Sequence, residues 1–137
     1  MNHRLLYVDT TPLYALVEAR DQAHRQAFEA LKRATAAGLT ILCPYPVALE
    51  LHRLLISRKP SQPERSHRSV AAVLSRYPAV MPQDVDKQAA LAILGRYPDQ
   101  KITLTDATIA AMASREGAAV LTFDRHHFGL MGVDVYG

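Results

Sequence analysis

The chain has 137 residues, 49% of them hydrophobic, and a formal net charge of +3. This is one domain's worth of chain with enough apolar side chains for a single core, and the mild positive charge permits a polyanionic partner without requiring one. The lone Cys43 excludes an intrachain disulfide and fits a reducing cytoplasm; no apolar run approaches the roughly 20 residues of a bilayer span, and the amino terminus lacks a signal-peptide core, so no membrane association is expected.

Leu5–Val8 reads as a short buried strand ending on Asp9. Pro12 suits the first turn of a helix running to Val17, which makes Thr11 the expected N-cap and leaves Asp9 without a capping duty. Gln22–Ala36 is a second helix, stopped by Gly38. A strand follows at Leu39–Leu42, with Cys43 at its end as a buried thiol, and then a helix from Pro46 to Ser57. Arg58–Pro63 is a proline-bearing loop that leads into a helix at Glu64–Ser75. Ala79–Met81 is a short strand, Asp84–Arg96 and Thr105–Glu116 are helices, Ala118–Thr122 is a strand, and Val133–Tyr136 is the last one. Strands alternating with helices of ten to fifteen residues predict one α/β domain over residues 1–137, with a mainly parallel sheet whose ligands sit beyond the carboxyl ends of its strands.

Four carboxylates sit where a solvated acid is not expected. Val47, Leu51, Leu54 and Leu55 form an apolar stripe, and Glu50 falls within it, either needing a cation partner or reaching water from the stripe's edge. Asp106 shares a face with Ile109, Ala110 and Ala113, although an acid in a first turn is also favoured by the helix dipole. Asp124 follows the strand Ala119–Phe123 and mirrors Asp9; an aspartate there also suits a turn. Two acids at carboxyl ends of parallel strands and two on helices can converge on one rim, where their repulsion calls for a cation. Hard oxygen ligands select Mg²⁺ or Mn²⁺, whose obvious chemistry is phosphoryl transfer.

The order Val8-Asp9-Thr10-Thr11, then Ala48-Leu49-Glu50-Leu51-His52, then Leu104-Thr105-Asp106-Ala107, then Leu121-Thr122-Phe123-Asp124-Arg125-His126 resembles the PIN-domain family, which includes the VapC-type toxins of toxin–antitoxin pairs. The similarity runs from about Leu5 to Tyr136. It implies a three-layer α/β/α sandwich and Mg²⁺- or Mn²⁺-dependent endoribonuclease activity. By motif, Asp9, Glu50, Asp106 and Asp124 match the family's metal-binding acids. Thr10 and Thr11 match the small hydroxyl positions after the first Asp, and Thr122 matches the hydroxyl two before the last. Asp99 resembles an auxiliary acid of some members, with Thr103 nearby. The resemblance also implies an RNA substrate, an antitoxin partner and a second copy of the chain as a homodimer.

His126 and His127 depart from the family's single histidine before the aromatic and are expected on a surface turn of helix. His52 is expected on the exposed side of its helix. Arg53, Arg58, Lys59, Arg65, Arg68, Lys101 and Arg125 are candidates for holding an RNA backbone, densest at 58–68. Two rival readings share some of these features. A haloacid-dehalogenase-like phosphatase also has an Asp ending its first strand, but its second acid would stand at Thr11. A non-catalytic RNA- or protein-binding module of the same fold would typically lack one or more of the acids, and all four are present.

Overall fold

A computed structural model describes residues 3–137. The elements in chain order are β1 (Leu5–Val8), α1 (Thr10–Val17), α2 (His24–Ala36), β2 (Thr40–Pro44), α3 (Tyr45–Arg58), α4 (Pro63–Arg76), β3 (Ala79–Val80), α5 (Asp84–Arg96), α6 (Leu104–Glu116), β4 (Ala119–Leu121), α7 (Arg125–Leu130) and β5 (Val135–Tyr136). The five strands form one sheet in the order β3-β2-β1-β4-β5, and every pairing is parallel.

β1 is central because its side chains can be buried on both faces: Leu6, Tyr7 and Val8 are all buried. Leu6 pairs with Ile41 on one side and Ala119 on the other. From β1 the chain moves outward through β2 to β3, then returns across the sheet to β4. Right-handed crossovers therefore place α1–α4 on one face and α5–α7 on the other, which gives the three layers. The packing agrees: α1 lies against α2 and α3, α5 lies against α6, and the Tyr97 hydroxyl at the end of α5 donates to the Leu130 carbonyl of α7 at 2.8 Å. Because β2 and β4 flank β1 but are reached by opposite routes, the switch point of the sheet lies at the carboxyl end of β1, directly at Asp9.

Two local features aim α6 at that point. Thr103 and Asp106 form a capping box at its start, the Thr103 hydroxyl accepting from the Asp106 N–H at 3.0 Å and the Asp106 carboxylate from the Thr103 N–H at 3.4 Å. At its end Gly117 adopts φ +69, a left-handed conformation that L side chains resist, and turns the chain directly into β4. α6 thus runs antiparallel to β4, and its amino end reaches the strands' carboxyl ends. Opposite, Asp86 of α5 is buried and takes a two-pronged contact from Arg115 of α6, with both N···O distances 2.8 Å.

The expected elements are present with shifted ends. The first helix begins at Thr10, and its N-cap is Asp9, not Thr11. Pro12 is the third helical residue; it is tolerated there because no first-turn N–H has a partner within the helix. α3 begins at Tyr45, one residue before Pro46, and β2 extends to Pro44. Cys43 is buried, and burial pushes its thiol up to about 11, so it carries no thiolate at neutral pH.

Candidate active site

Asp9 is only 5% exposed. One carboxylate oxygen accepts from the Thr10 N–H at 2.8 Å, which is its capping bond, and the other accepts from the Thr122 hydroxyl at 2.8 Å. Thr122 also accepts from the Asp124 N–H at 2.9 Å, so one hydroxyl ties the ends of β1 and β4 together. Asp124 is the N-cap of α7, accepting from the His127 N–H at 3.2 Å, and its other oxygen meets the His127 Nδ1 at 2.8 Å. Asp106 is half-buried at the start of α6, and Glu50 is exposed in the second turn of α3, with Val47, Leu51 and Leu55 buried beside it and Leu54 half-buried. Glu50 therefore stands at the edge of its stripe.

The charges of these acids bear on Asp9 and Asp106. Burial raises the Asp9 carboxyl to about 6; the Thr122 and Thr10 bonds pull against that, and the charges of Asp106 and Glu50 add to it. Asp106 is raised too, first by burial, then by the charges of Glu50 and Asp124, with the Thr103 bonds opposing. Two strand ends and one helix from each outer layer thus supply carboxylates to a single field. The amino ends of α1, α6 and α7, all capped by or carrying these acids, offset part of the repulsion through their dipoles.

The acids share a field rather than a closed cage: among the described residues, no three His, Cys, Asp or Glu side chains form a group that could hold an ion. The donor set nonetheless fits a hard divalent cation in kind, being all oxygen, anionic and mutually repelling. The Thr10 hydroxyl adds to this, because it is buried beside Asp9 with no hydrogen-bond partner among the described residues, and buried hydroxyls rarely go unpaired.

The auxiliary positions separate. Thr10 and Thr122 are buried against Asp9, whereas Thr11 is exposed. Thr103 belongs to the α6 capping box, and Asp99 is exposed in the loop after α5. Of the basic candidates, Arg125 starts α7 directly after Asp124. Arg58 stacks over the Tyr14 ring at 4.9 Å, Lys59 stands 3.9 Å from Glu18, and Arg65 donates to Gln62, all at the far ends of α1 and α3. From Glu50 to Arg58 is about 12 Å along α3 at 1.5 Å per residue. Arg53, Arg68 and Lys101 are exposed and make no ion pair among the described residues. His126 and His127 lie on a short surface helix as expected, and His127 also contacts Asp124, which the surface reading does not predict. Its signal was present in the spacing, since residue N3 of a helix is where an N-cap aspartate reaches. His52 is half-buried and pairs with His67 of α4 at 2.9 Å.

The family model described as "PIN domain" matches residues 6–130. No curated protein sequence matches the chain. Among solved structures, Mycobacterium tuberculosis VapC20, a Sarcin-Ricin loop cleaving toxin, superposes with a TM-score of 0.76 at 24% identity, over 93% of this chain and 95% of that one. VapBC2 from Rickettsia felis, bound to a DNA fragment from its promoter, gives 0.75 at 17% identity over 96% of each chain. FitAcB from Neisseria gonorrhoeae gives 0.73 at 16% identity, also over 96% of each. At these identities the structural likeness concerns the fold, while the family match covers nearly the whole chain, acids included up to Asp124. The chain belongs to the PIN domain family.

Proposed function

We propose that this protein is a divalent-metal-dependent endoribonuclease and the toxin of a type II toxin–antitoxin pair. The reading rests on one observation above others: at the switch point of a PIN-family sheet Thr122 ties Asp9 to Asp124, and the charges of Glu50, Asp106 and Asp124, scattered through the sequence, bear on Asp9 or Asp106. Asp9, Asp106, Asp124 and Glu50 would hold Mg²⁺ or Mn²⁺. Bound there, the ion would activate water and neutralise charge on the phosphodiester. The chain's own residues orient the donors: Thr122 aims Asp9, His127 aims Asp124, and the Thr103 capping box holds Asp106 at the start of α6. The retention of all four acids favours an enzyme over a binding module.

Two partners belong to this reading, supported by the likeness to VapC and VapBC structures. An antitoxin would place a cationic side chain, most suitably an arginine, among the acids. The groove of about 470 Å³ formed by Leu16, Phe28, Leu31 and Tyr77 offers its segment an apolar surface. A second copy of the chain would cover large apolar side chains such as Leu49, Met81, Val85 and Leu91, each more than half exposed.

The test is cleavage of RNA by the purified chain with Mn²⁺ or Mg²⁺, abolished by chelator and by Asp9→Ala or Asp124→Ala in protein that keeps its helical spectrum. Either variant cutting as fast as the parent would overturn the assignment. Induced expression should arrest growth, and Asp9→Ala should relieve the arrest.

A further inference from the structure

Beside the acids, α2 and the carboxyl ends of β4 and β5 enclose a second concavity of about 310 Å³. Its lining includes Gln26 and Arg33 of α2, Thr122 and Phe123 past β4, Arg125 at the start of α7, and Tyr136 of β5. Gln26 and Arg33 are seven residues apart and so share one face of α2. Neither Arg33 nor Arg125 has an ion pair among the described residues, so both guanidiniums are uncommitted. Thr122 is a wall of this cavity and at the same time the donor to Asp9, so the cavity and the acidic rim share that side chain.

The chemistry of the lining is specific. A pair of free guanidiniums suits a phosphate, which their planar forks can bind bidentately. Phe123 and Tyr136 are half-buried rings of the kind on which an unpaired base stacks. The Gln26 amide offers both a donor and an acceptor to a base edge. The volume is at the small end of ligand pockets, which begin at roughly 300 Å³, and suits one nucleotide rather than a duplex, whose bases are already stacked on both faces. A basic wall beside the acids also offsets the field that would otherwise repel a polyanion from the rim.

We infer that this cavity holds one unpaired nucleotide of the RNA strand next to the cleaved phosphodiester. Arg33 and Arg125 take its phosphate, Phe123 and Tyr136 pack on its base, and Gln26 meets the base edge. The inference rests on the ribonuclease reading above and adds to it a subsite and two residues, Gln26 and Arg33, far from the acidic motifs in sequence.

The test is binding of a labelled single-stranded RNA oligonucleotide to the full chain in chelator, followed by fluorescence anisotropy across a salt series. Arg33→Ala should weaken binding roughly tenfold, as expected for one lost charge-assisted contact, and lower the slope of log Kd against log salt by about 0.7. Arg96→Ala, an exposed arginine in the last turn of α5, should change neither. Gln26→Ala should alter the ranking among homopolymers while keeping the salt slope. Arg33 is exposed, so its replacement should leave the melting curve unchanged; Arg33→Gln serves if alanine does not fold. Wild-type protein that binds no RNA, or Arg33→Ala that binds like wild type or loses no more than Arg96→Ala, would overturn the inference. The two readings separate cleanly. Arg33-dependent binding without metal-dependent cleavage would remove the nuclease and keep the subsite. Cleavage with a KM indifferent to Arg33→Ala would remove the subsite and keep the nuclease.

Discussion

The Thr122 hydroxyl donates to Asp9 at 2.8 Å across 113 residues of chain, and the same oxygen accepts the Asp124 N–H at 2.9 Å. This single buried hydroxyl couples the two strand-end acids, because each depends on it for a hydrogen bond. Removing it strands an acceptor on Asp9 and a donor on Asp124 together.

Thr122→Val keeps the shape and deletes the hydroxyl, so it should cost about 1–3 kcal/mol and reduce Mn²⁺-dependent cleavage at least tenfold. Thr122→Ser should restore both. Urea denaturation and a cleavage time course check the pair; a valine variant as stable and as active as the parent would show that the coupling is idle.

The raised Asp9 carboxyl makes a statement about stability in metal-free protein. Unfolded, Asp9 releases its proton near 3.8; folded, near 6. Between those values the folded chain holds a proton the unfolded chain has lost, so unfolding free energy falls as pH rises through this window, by on the order of 3 kcal/mol in all. Asp106, raised in the same sense, adds to the trend. Asp9→Asn cannot ionise and should melt higher than wild type at pH 7.5 in chelator, with the two melting temperatures converging toward pH 4. An asparagine variant that melts lower at pH 7.5 would mean that Asp9 serves the fold rather than a ligand.

His127 contacts Asp124 through both its backbone N–H and its ring, and orienting partners of this kind typically contribute 10–100-fold in metal affinity. His127→Ala should weaken Mn²⁺ binding, measured by calorimetry, by about that factor, with little change in melting temperature without metal. His127→Gln, which can still donate, should recover part of the loss. Unchanged affinity in the alanine variant would assign His127 to the surface alone.

The Asp86–Arg115 contact is the test of the scaffold. Asp86 is 1% exposed, and the Arg115 guanidinium, hydrogen-bonded to both its oxygens, holds it below the usual carboxylate range. Arg115→Ala leaves a buried charge unpaired and should cost about 3–5 kcal/mol in chemical denaturation. The contribution of a lowered carboxyl is present above its unfolded value and lost as pH falls through the folded one, so the penalty should shrink in acid. A loss below about 1 kcal/mol would be the value of a surface pair instead.

The alternation of apolar strands with amphipathic helices sufficed to predict a parallel α/β domain, since periodicity is a local property that each segment carries alone. The four acids were also legible, because Asp9 and Asp124 end apolar runs and Asp106 and Glu50 interrupt or border apolar helix faces. Local reading erred on Asp9 itself: Thr11 and Pro12 satisfied the rules for a helix start, but the chain begins α1 one residue after Asp9 and uses its carboxylate as the cap. Nothing in the neighbouring residues told these two starts apart.

Only the tertiary structure decided what the acids touch. The order β3-β2-β1-β4-β5 sets β2 and β4 on either side of β1, and from that arrangement follow the Thr122 bond, the field shared with Asp106 and Glu50, and the cavity that unites Arg33 with Arg125. Such contacts join residues as many as 113 positions apart, and no local propensity or spacing encodes them. The surroundings of a charge are likewise set only in space: of the basic group at 58–68, Arg58 packs on Tyr14 and Lys59 stands near Glu18, while Arg33, in no basic cluster of the sequence, lines the cavity next to Thr122.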